Sequence, residues 1–193
     1  MRNSIKKGLG IALISLFTLS FTTSKRETKQ INTSKSKIEW KAYKVTGSHN
    51  GTVTVKSGYL NFDDNQLSGG SITIDMTTIN TTDLSGKAKK GLDGHLKSPD
   101  FFGVEKHQTS ALNFTKVKST GSNAYEVTAN LTIKGITKKV NFLISINGTK
   151  AKASLKVDRT KFGIKYGSSS FFDNLKDKAI YDEFDLVAEL ELN

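Results

Sequence analysis

No cysteine occurs in the chain. That absence excludes disulfides, a thiol nucleophile and a thiolate metal site, so the fold must stand on packing alone. It also leaves no cysteine to carry a lipid anchor. Proline appears once, at Pro99, where it disfavours helix at Ser98 and ends the segment before it. Histidine appears at His49, His95 and His107 only, and none of the three stands in an HxH, HxxxH or HExxH spacing. No GxSxG or Walker-type loop is present either. The spacings that announce a catalyst are therefore missing. An enzyme reading survives only as an alternative, a small metal-dependent or acid-base enzyme assembling His49, His95 and His107 across the fold. Long apolar runs are missing too. The charge-free stretch from Leu9 to Phe21 falls well short of the ~20 residues a membrane-spanning helix needs.

That stretch follows Arg2, Lys6 and Lys7 and precedes Thr22, Thr23 and Ser24. A basic start, a short apolar middle and a small-polar end is the layout of a secretory signal peptide over residues 1–24. A periplasmic or secreted mature protein is expected. Acids are the scarcer charge, and the formal net charge is +11, or about +8 without residues 1–24. Export argues against nucleic acid as the partner. Attraction to anionic lipid surfaces or phosphate head groups fits better, beside the plainer reading that exposed strand faces use lysine for solubility.

Residues 25–36 (KRETKQINTSKS) are polar and aperiodic and are expected as a disordered lead-in. From Lys37 onward the dominant period is two, the mark of half-buried strands. Ile38 and Trp40 alternate with Glu39 and Lys41, and Val53 and Val55 with Thr52 and Thr54. Past a bulge at Ser57-Gly58, Leu60 and Phe62 continue the pattern. Ile72, Ile74 and Met76, then Leu112 and Phe114, repeat it. The second half is cleaner, with Tyr125 to Ile133, Val140 to Ile146, Ala151 to Val157 and Leu186 to Leu192. Turns are expected at Lys134-Gly135 and at Asn147-Gly148, the latter a strong hairpin signal. About eight strands, each apolar on one face only, must fold into a sandwich or close into a barrel. An eight-stranded barrel has an interior that side chains just fill or that holds one small ligand.

Two segments break the period. Leu84, Ala88, Leu92, His95 and Leu96 recur at helical spacing within Thr82–Ser98, capped by Thr82 or Asp83 and weakened by Gly91 and Gly94. Ser169–Lys178, with Phe171, Phe172 and Leu175 on one side, is a second helical candidate. Each helix lies beside a phenylalanine doublet. If Phe101-Phe102 is extended, its rings point opposite ways, one into the barrel and one beneath the helix. His95 reads as a packed residue of the helix, and Asp158-Arg159 as a turn cap or structural ion pair.

Four separated motifs in order, HLKSPDFF (95–102), LNFTKV (112–117), YEVTANLTIKGITKKV (125–140) and DRTKFGIKY (158–166), resemble the YceI-like family of exported, polyisoprenoid-binding proteins. The resemblance runs from about Ile38 to Leu192. The chain departs from the family pattern in two places. Gly91-Leu92-Asp93-Gly94 keeps the aspartate but not the arginine that usually precedes it, so no head-group role for that arginine carries over. His107-Gln108-Thr109 stands where a Tyr-Pro-Thr context is common. The resemblance implies an all-β fold, an extended eight-stranded antiparallel lipocalin-like β-barrel with one or two short helices, over residues 37–193. It implies an apolar tunnel for a long-chain isoprenoid, a polyprenyl phosphate or an isoprenoid quinone, with no catalytic or metal site and no cofactor beyond that lipid. The wall is expected from Trp40, Val53, Phe62, Ile74, Phe102, Phe114, Leu131, Phe142, Phe162 and Leu190. Transient contact with a membrane surface and a homodimer are compatible with it, and a filled barrel with a stress or scaffold role is the alternative if side chains plug the centre.

Overall fold

The computed structural model describes residues 24–193; nearly all of the expected signal peptide lies outside the described residues. Nine strands follow: β1 (Arg26–Gln30), β2 (Lys37–Lys44), β3 (Gly47–Asp63), β4 (Gln66–Thr81), β5 (Thr109–Gly121), β6 (Ala124–Ile133), β7 (Ile136–Asn147), β8 (Lys150–Asp158) and β9 (Ile180–Glu191), with one helix, α1 (Gly86–Lys97), between β4 and β5. Eight of them close on themselves in the order β3-β2-β9-β8-β7-β6-β5-β4, with β4 returning to β3, and every pairing is antiparallel. This is the expected eight-stranded barrel. Closure removes the sheet edges that would otherwise template aggregation.

The ninth strand corrects the reading of residues 25–36 as a disordered lead-in. β2 pairs with β3 only over Gly47–Val53, which would leave the far half of that long strand as a bare edge. β1 covers it, pairing Arg26–Gln30 with Tyr59–Asp63. Ile31 is buried and bridges to Leu192. The composition of RETKQ hid this because an edge-covering strand is held by its main chain and needs little apolar surface.

Local chemistry sets the turns. At Lys134-Gly135 both residues take positive φ (53° and 75°), the conformation that matches the twist of a tight hairpin. Asp64 and Asn65 do the same between β3 and β4 (φ 48° and 63°), and Gly148 at φ 63° follows Asn147 between β7 and β8. The bulge read at Ser57-Gly58 is present, as a register shift between Val55 and Ser57.

The helical segments come out shorter than their spacing suggests. Thr82 and Asp83 do not cap α1, because they are tied back to β3: Thr82 N–H donates to the Asn50 carbonyl, and Asp83 accepts from Asn50 N–H and pairs with His49 at 2.8 Å. The helix starts only at Gly86 and stops at Lys97, with Ser98 extended before Pro99. It is anchored by Asp93, which accepts from the Thr81 main chain and from Lys89. Partial burial alone would raise the Asp93 pKa, but those hydrogen bonds outweigh it and hold the carboxyl below the usual range. In Ser169–Lys178 only a single 3-10 turn forms, Lys176–Lys178. Left-handed Asn174 and Lys176 (φ 62° and 49°) interrupt any α-helical repeat, and Phe171 and Phe172 stay exposed.

The register places the two barrel ends differently. At the end carrying the β3–β4, β5–β6 and β7–β8 turns, Ile31, Leu60, Phe62, Leu67, Tyr125, Val127, Ile146 and Leu192 are all buried in one cluster. That end is packed shut. At the other end the strands meet α1, the 98–108 segment and the 159–179 segment.

Candidate functional site

Between the shut end and α1 the barrel encloses a cavity of about 170 Å³. Its wall draws on β2 through β9 together with Leu96, Phe101 and Phe102. Several inward side chains, among them Ile74, Phe114, Leu155, Leu186 and Ala188, are only partly buried although they point into the barrel. Each packs on one side against the buried cluster and on the other borders the cavity. A cavity of ~150 Å³ lined by aliphatic and aromatic groups stays dry and takes up a benzene-sized molecule. The bore as it stands holds a short stretch of chain, and a longer guest must displace side chains or run out through the mouth.

Eight of the ten expected wall residues line this cavity: Trp40, Val53, Ile74, Phe102, Phe114, Leu131, Phe142 and Leu190. Phe62 and Phe162 do not. Phe62 belongs to the shut end, where it borders a shallow surface pocket with Lys29. Phe162 ends a 3-10 turn (Arg159–Phe162) and packs behind the wall against Phe101, Leu131 and Ile164. Phe62 faces inward like the rest but sits at the wrong level along the axis, whereas Phe162 lies outside the strands.

The Phe101-Phe102 doublet departs from the alternating rule. Both rings line the bore, because the pair lies in a turn. Phe101 N–H donates to the Ser98 carbonyl and Phe102 N–H to the Leu96 carbonyl. Phe102 then meets Phe184 edge-on, with ring centroids 6.5 Å apart. His95 is a packing residue, as expected: its ring stands edge-on to Phe101 at 4.9 Å and to Tyr166 at 4.5 Å. His49 is engaged with Asp83, and His107 lies beside Gly103 and Gly135. Among the described residues no cluster of three His, Asp or Glu side chains could hold a metal.

Sequence reasoning missed the polar members of the wall. Arg159 is buried, 4 % exposed, and lines the cavity. Its guanidinium donates to the main-chain carbonyls of Tyr181, Ile164 and Ile180 at 3.1, 2.9 and 2.9 Å, with Asp182 at 3.6 Å. Burial pushes its pKa down, but an arginine stays charged. Asp158 caps the turn by accepting from Thr160 N–H, which fixes where Arg159 enters. Tyr181 stands at the rim, half exposed and lining the bore. Ser110 is buried inside. No alternation marks these positions, since a polar residue on an inner face looks like an ordinary interruption of the pattern.

Comparison with known proteins gives the same architecture. A family model described as YceI-like domain matches residues 30–192. A UPF0312 protein of Pseudomonas putida is 32% identical over 112 residues, 58% of this chain and 56% of that relative, so the match spans little more than half of the relative's length. Among solved structures, Burkholderia cenocepacia BcnA superposes with a TM-score of 0.62 at 20% identity, over 83% of this chain and 98% of that one. A polyisoprenoid binding domain from Saccharophagus degradans gives 0.58 at 12% identity, over 86% and 98%. At these identities the structural likeness speaks for the fold.

Proposed function

The chain belongs to the YceI-like family, its model covering nearly all the described residues, and from that premise we propose that it binds a long-chain isoprenoid lipid in the bore, for carriage or storage outside the cytoplasm. The observation that carries the reading is the wall itself. Apart from Arg159, no charged side chain lines the cavity among the described residues. An isoprenoid gains roughly 0.8 kcal/mol for each methylene that leaves water for such a wall, so a dry bore suffices without specific contacts. Binding rather than catalysis also fits the separate surroundings of His49, His95 and His107. Export rests on the N-terminal residues 1–24 alone.

The test is mass spectrometry of organic extracts from the purified protein, followed by melting of the delipidated protein with and without added isoprenoid. Free ligand at a hundred times Kd stabilises a protein by about 2.7 kcal/mol, which for a chain of this size is a rise in Tm of roughly 5–10 °C. Clean extracts combined with an unmoved Tm would remove the reading.

A guest of this kind has to be collected from a lipid surface, and the open end suits that contact. Tyr166, Phe171, Phe172 and Tyr181 are each about half exposed there. Lys165 lies 4.4 Å over the Phe171 ring, and Lys44 pairs with Ile180 beside the same segment. Helix α1, whose His95 touches Tyr166, carries Lys97 in its last turn. Aromatic rings with lysines around them settle at an anionic bilayer interface. Vesicles containing anionic phospholipid are expected to co-sediment the protein in low salt and to release it in high salt. The Phe171→Ser, Phe172→Ser double variant is expected to bind them about tenfold less. Equal sedimentation of parent and variant would refute this contact.

A further inference from the structure

The strand that seals the seam, β1, is fastened differently at its two ends. Beyond its far end Ile31 N–H donates to the Gly58 carbonyl, and Asn193 N–H donates to the Gln30 carbonyl. Its near end is held by the β3–β4 turn. Asp64 stands in that turn at φ 48°, and its N–H donates to the Lys25 carbonyl at 3.0 Å. In return the Lys25 main-chain nitrogen donates to Asp64 Oδ1 at 2.8 Å. The neighbouring Asp63 has Arg26 at 3.4 Å. Asp64 pairs with no lysine or arginine side chain among the described residues. Ser24 contributes one side-chain bond, from its hydroxyl to Asp63 at 3.0 Å. The sequence up to this point offers a signal peptidase three places to cut. Thr18-Leu19-Ser20, Ser20-Phe21-Thr22 and Thr22-Thr23-Ser24 each begin and end on a small residue, which is the pattern such enzymes accept.

We propose that the cut falls between Ser24 and Lys25, and that Asp64 receives the α-ammonium so freed, an ion pair that fastens β1 into the seam. The inference rests on residues 1–24 being an export signal. Hydrolysis adds one water across the peptide bond: Ser24 leaves with a carboxylate, and Lys25 keeps its nitrogen as an ammonium. That nitrogen already lies within hydrogen-bond distance of the Asp64 carboxylate, so it need not move. A neutral N–H becomes a charged donor with three protons, and charge-assisted bonds are roughly twice as strong as neutral ones. Losing the Ser24 hydroxyl leaves Asp63 its pairing with Arg26. A cut after Ser20 or Thr22 would instead put the new charge two or more residues away and leave Asp64 a neutral amide. Processing at Ser24 therefore strengthens the hold on the strand that covers the barrel's open edge.

The test begins with the full chain expressed in a Gram-negative bacterium and recovered from its periplasm. N-terminal sequencing is expected to read Lys-Arg-Glu-Thr. A start at any other residue overturns the inference while leaving export standing. A chain that keeps residues 1–24 removes the export reading first, and the inference with it. The pairing is then read by limited acylation of the mature protein near neutral pH, with peptide mass spectrometry at the Lys25 α-amine. Only the unprotonated amine reacts, and a facing carboxylate keeps it protonated. Asp64→Asn retains an acceptor oxygen and suits the positive φ of the turn, so the variant is expected to fold, as its melting curve would confirm. Its α-amine is expected to react about threefold faster than the parent's. Trypsin is likewise expected to clip the variant about threefold faster at Arg26 and Lys29, because β1 opens more often. Equal acylation rates would mean that Asp64 holds no ammonium. Equal clipping would mean that the pair does not fasten β1, and either result overturns the proposal.

Discussion

Ala188→Trp is expected to abolish lipid binding while leaving the barrel folded. Ala188 lies mid-strand on β9, paired with Ile38 on β2 and with Ala153 on β8, and lines the bore. It borders the cavity, packs against the buried cluster and is only partly buried. An indole is larger than the benzene-sized guest that a cavity of ~150 Å³ accommodates, so it consumes most of the 170 Å³ available. A guest excluded from even four methylenes' worth of wall loses about 3 kcal/mol, a factor on the order of 100 in affinity. Overpacking a full core costs ~1–3 kcal/mol, whereas here the added ring enters a vacancy, so Tm is expected to change little. Leu143→Trp is the control, since Leu143 points outward and is 64% exposed. Lipid extracted from Ala188→Trp in parental amounts would show that the guest lies elsewhere.

Arg159→Met is expected to be the most destabilising single change, at about 3–5 kcal/mol, or a fall in Tm of roughly 6–20 °C. Methionine fills a similar volume but makes none of the hydrogen bonds. Three main-chain carbonyls, on Ile164, Ile180 and Tyr181, lose their donor at once. These carbonyls pin the 159–180 segment to the start of β9, so their release also loosens the floor beneath Phe101, whose ring the guanidinium faces at 5.9 Å. Asp182, a half-buried carboxylate, loses its cation. Arg159→Lys is expected to recover only part of the loss, because a single ammonium cannot span the fork of a guanidinium. Adding Asp182→Asn to Arg159→Met separates the causes by thermal melting. A double variant more stable than Arg159→Met assigns the difference to the stranded carboxylate. If Arg159→Met melts within ~2 °C of the parent, the buried guanidinium is not what holds this end together.

Both variants act on features of unequal visibility in the sequence. Ala188 was readable: the alternation Leu186, Ala188, Leu190 puts it on the inner face of a strand, and the strand is there. Arg159 was not. Its position in DRTKF suggested a turn, and Asp158 does cap one, but nothing local says that the guanidinium turns inward to meet the carbonyls of Ile180 and Tyr181, more than twenty residues downstream. The same division runs through the wall. Trp40, Phe114 and Phe142 face inward because strand residues alternate, and so do Phe62 and Leu60. Alternation says which side, not how far along the barrel. Helix α1 shows the limit from another direction. Its spacing began at Thr82, but contacts to Asn50 and His49, over thirty residues away, took the first turn away from it.

The sequence by itself determined the inner and outer faces of nearly every strand, the hairpin turns at Lys134-Gly135 and Asn147-Gly148, and the end of α1 before Pro99, because each depends on side-chain period or on the φ preference of one or two residues. Only the tertiary structure decided that β1 seals the seam, that Phe62 closes one end while Trp40 stands in the open bore, and that the centre is hollow. Those outcomes depend on how far eight tilted strands are staggered when they close. Stagger is a property of the whole circuit, and no single stretch of chain carries it.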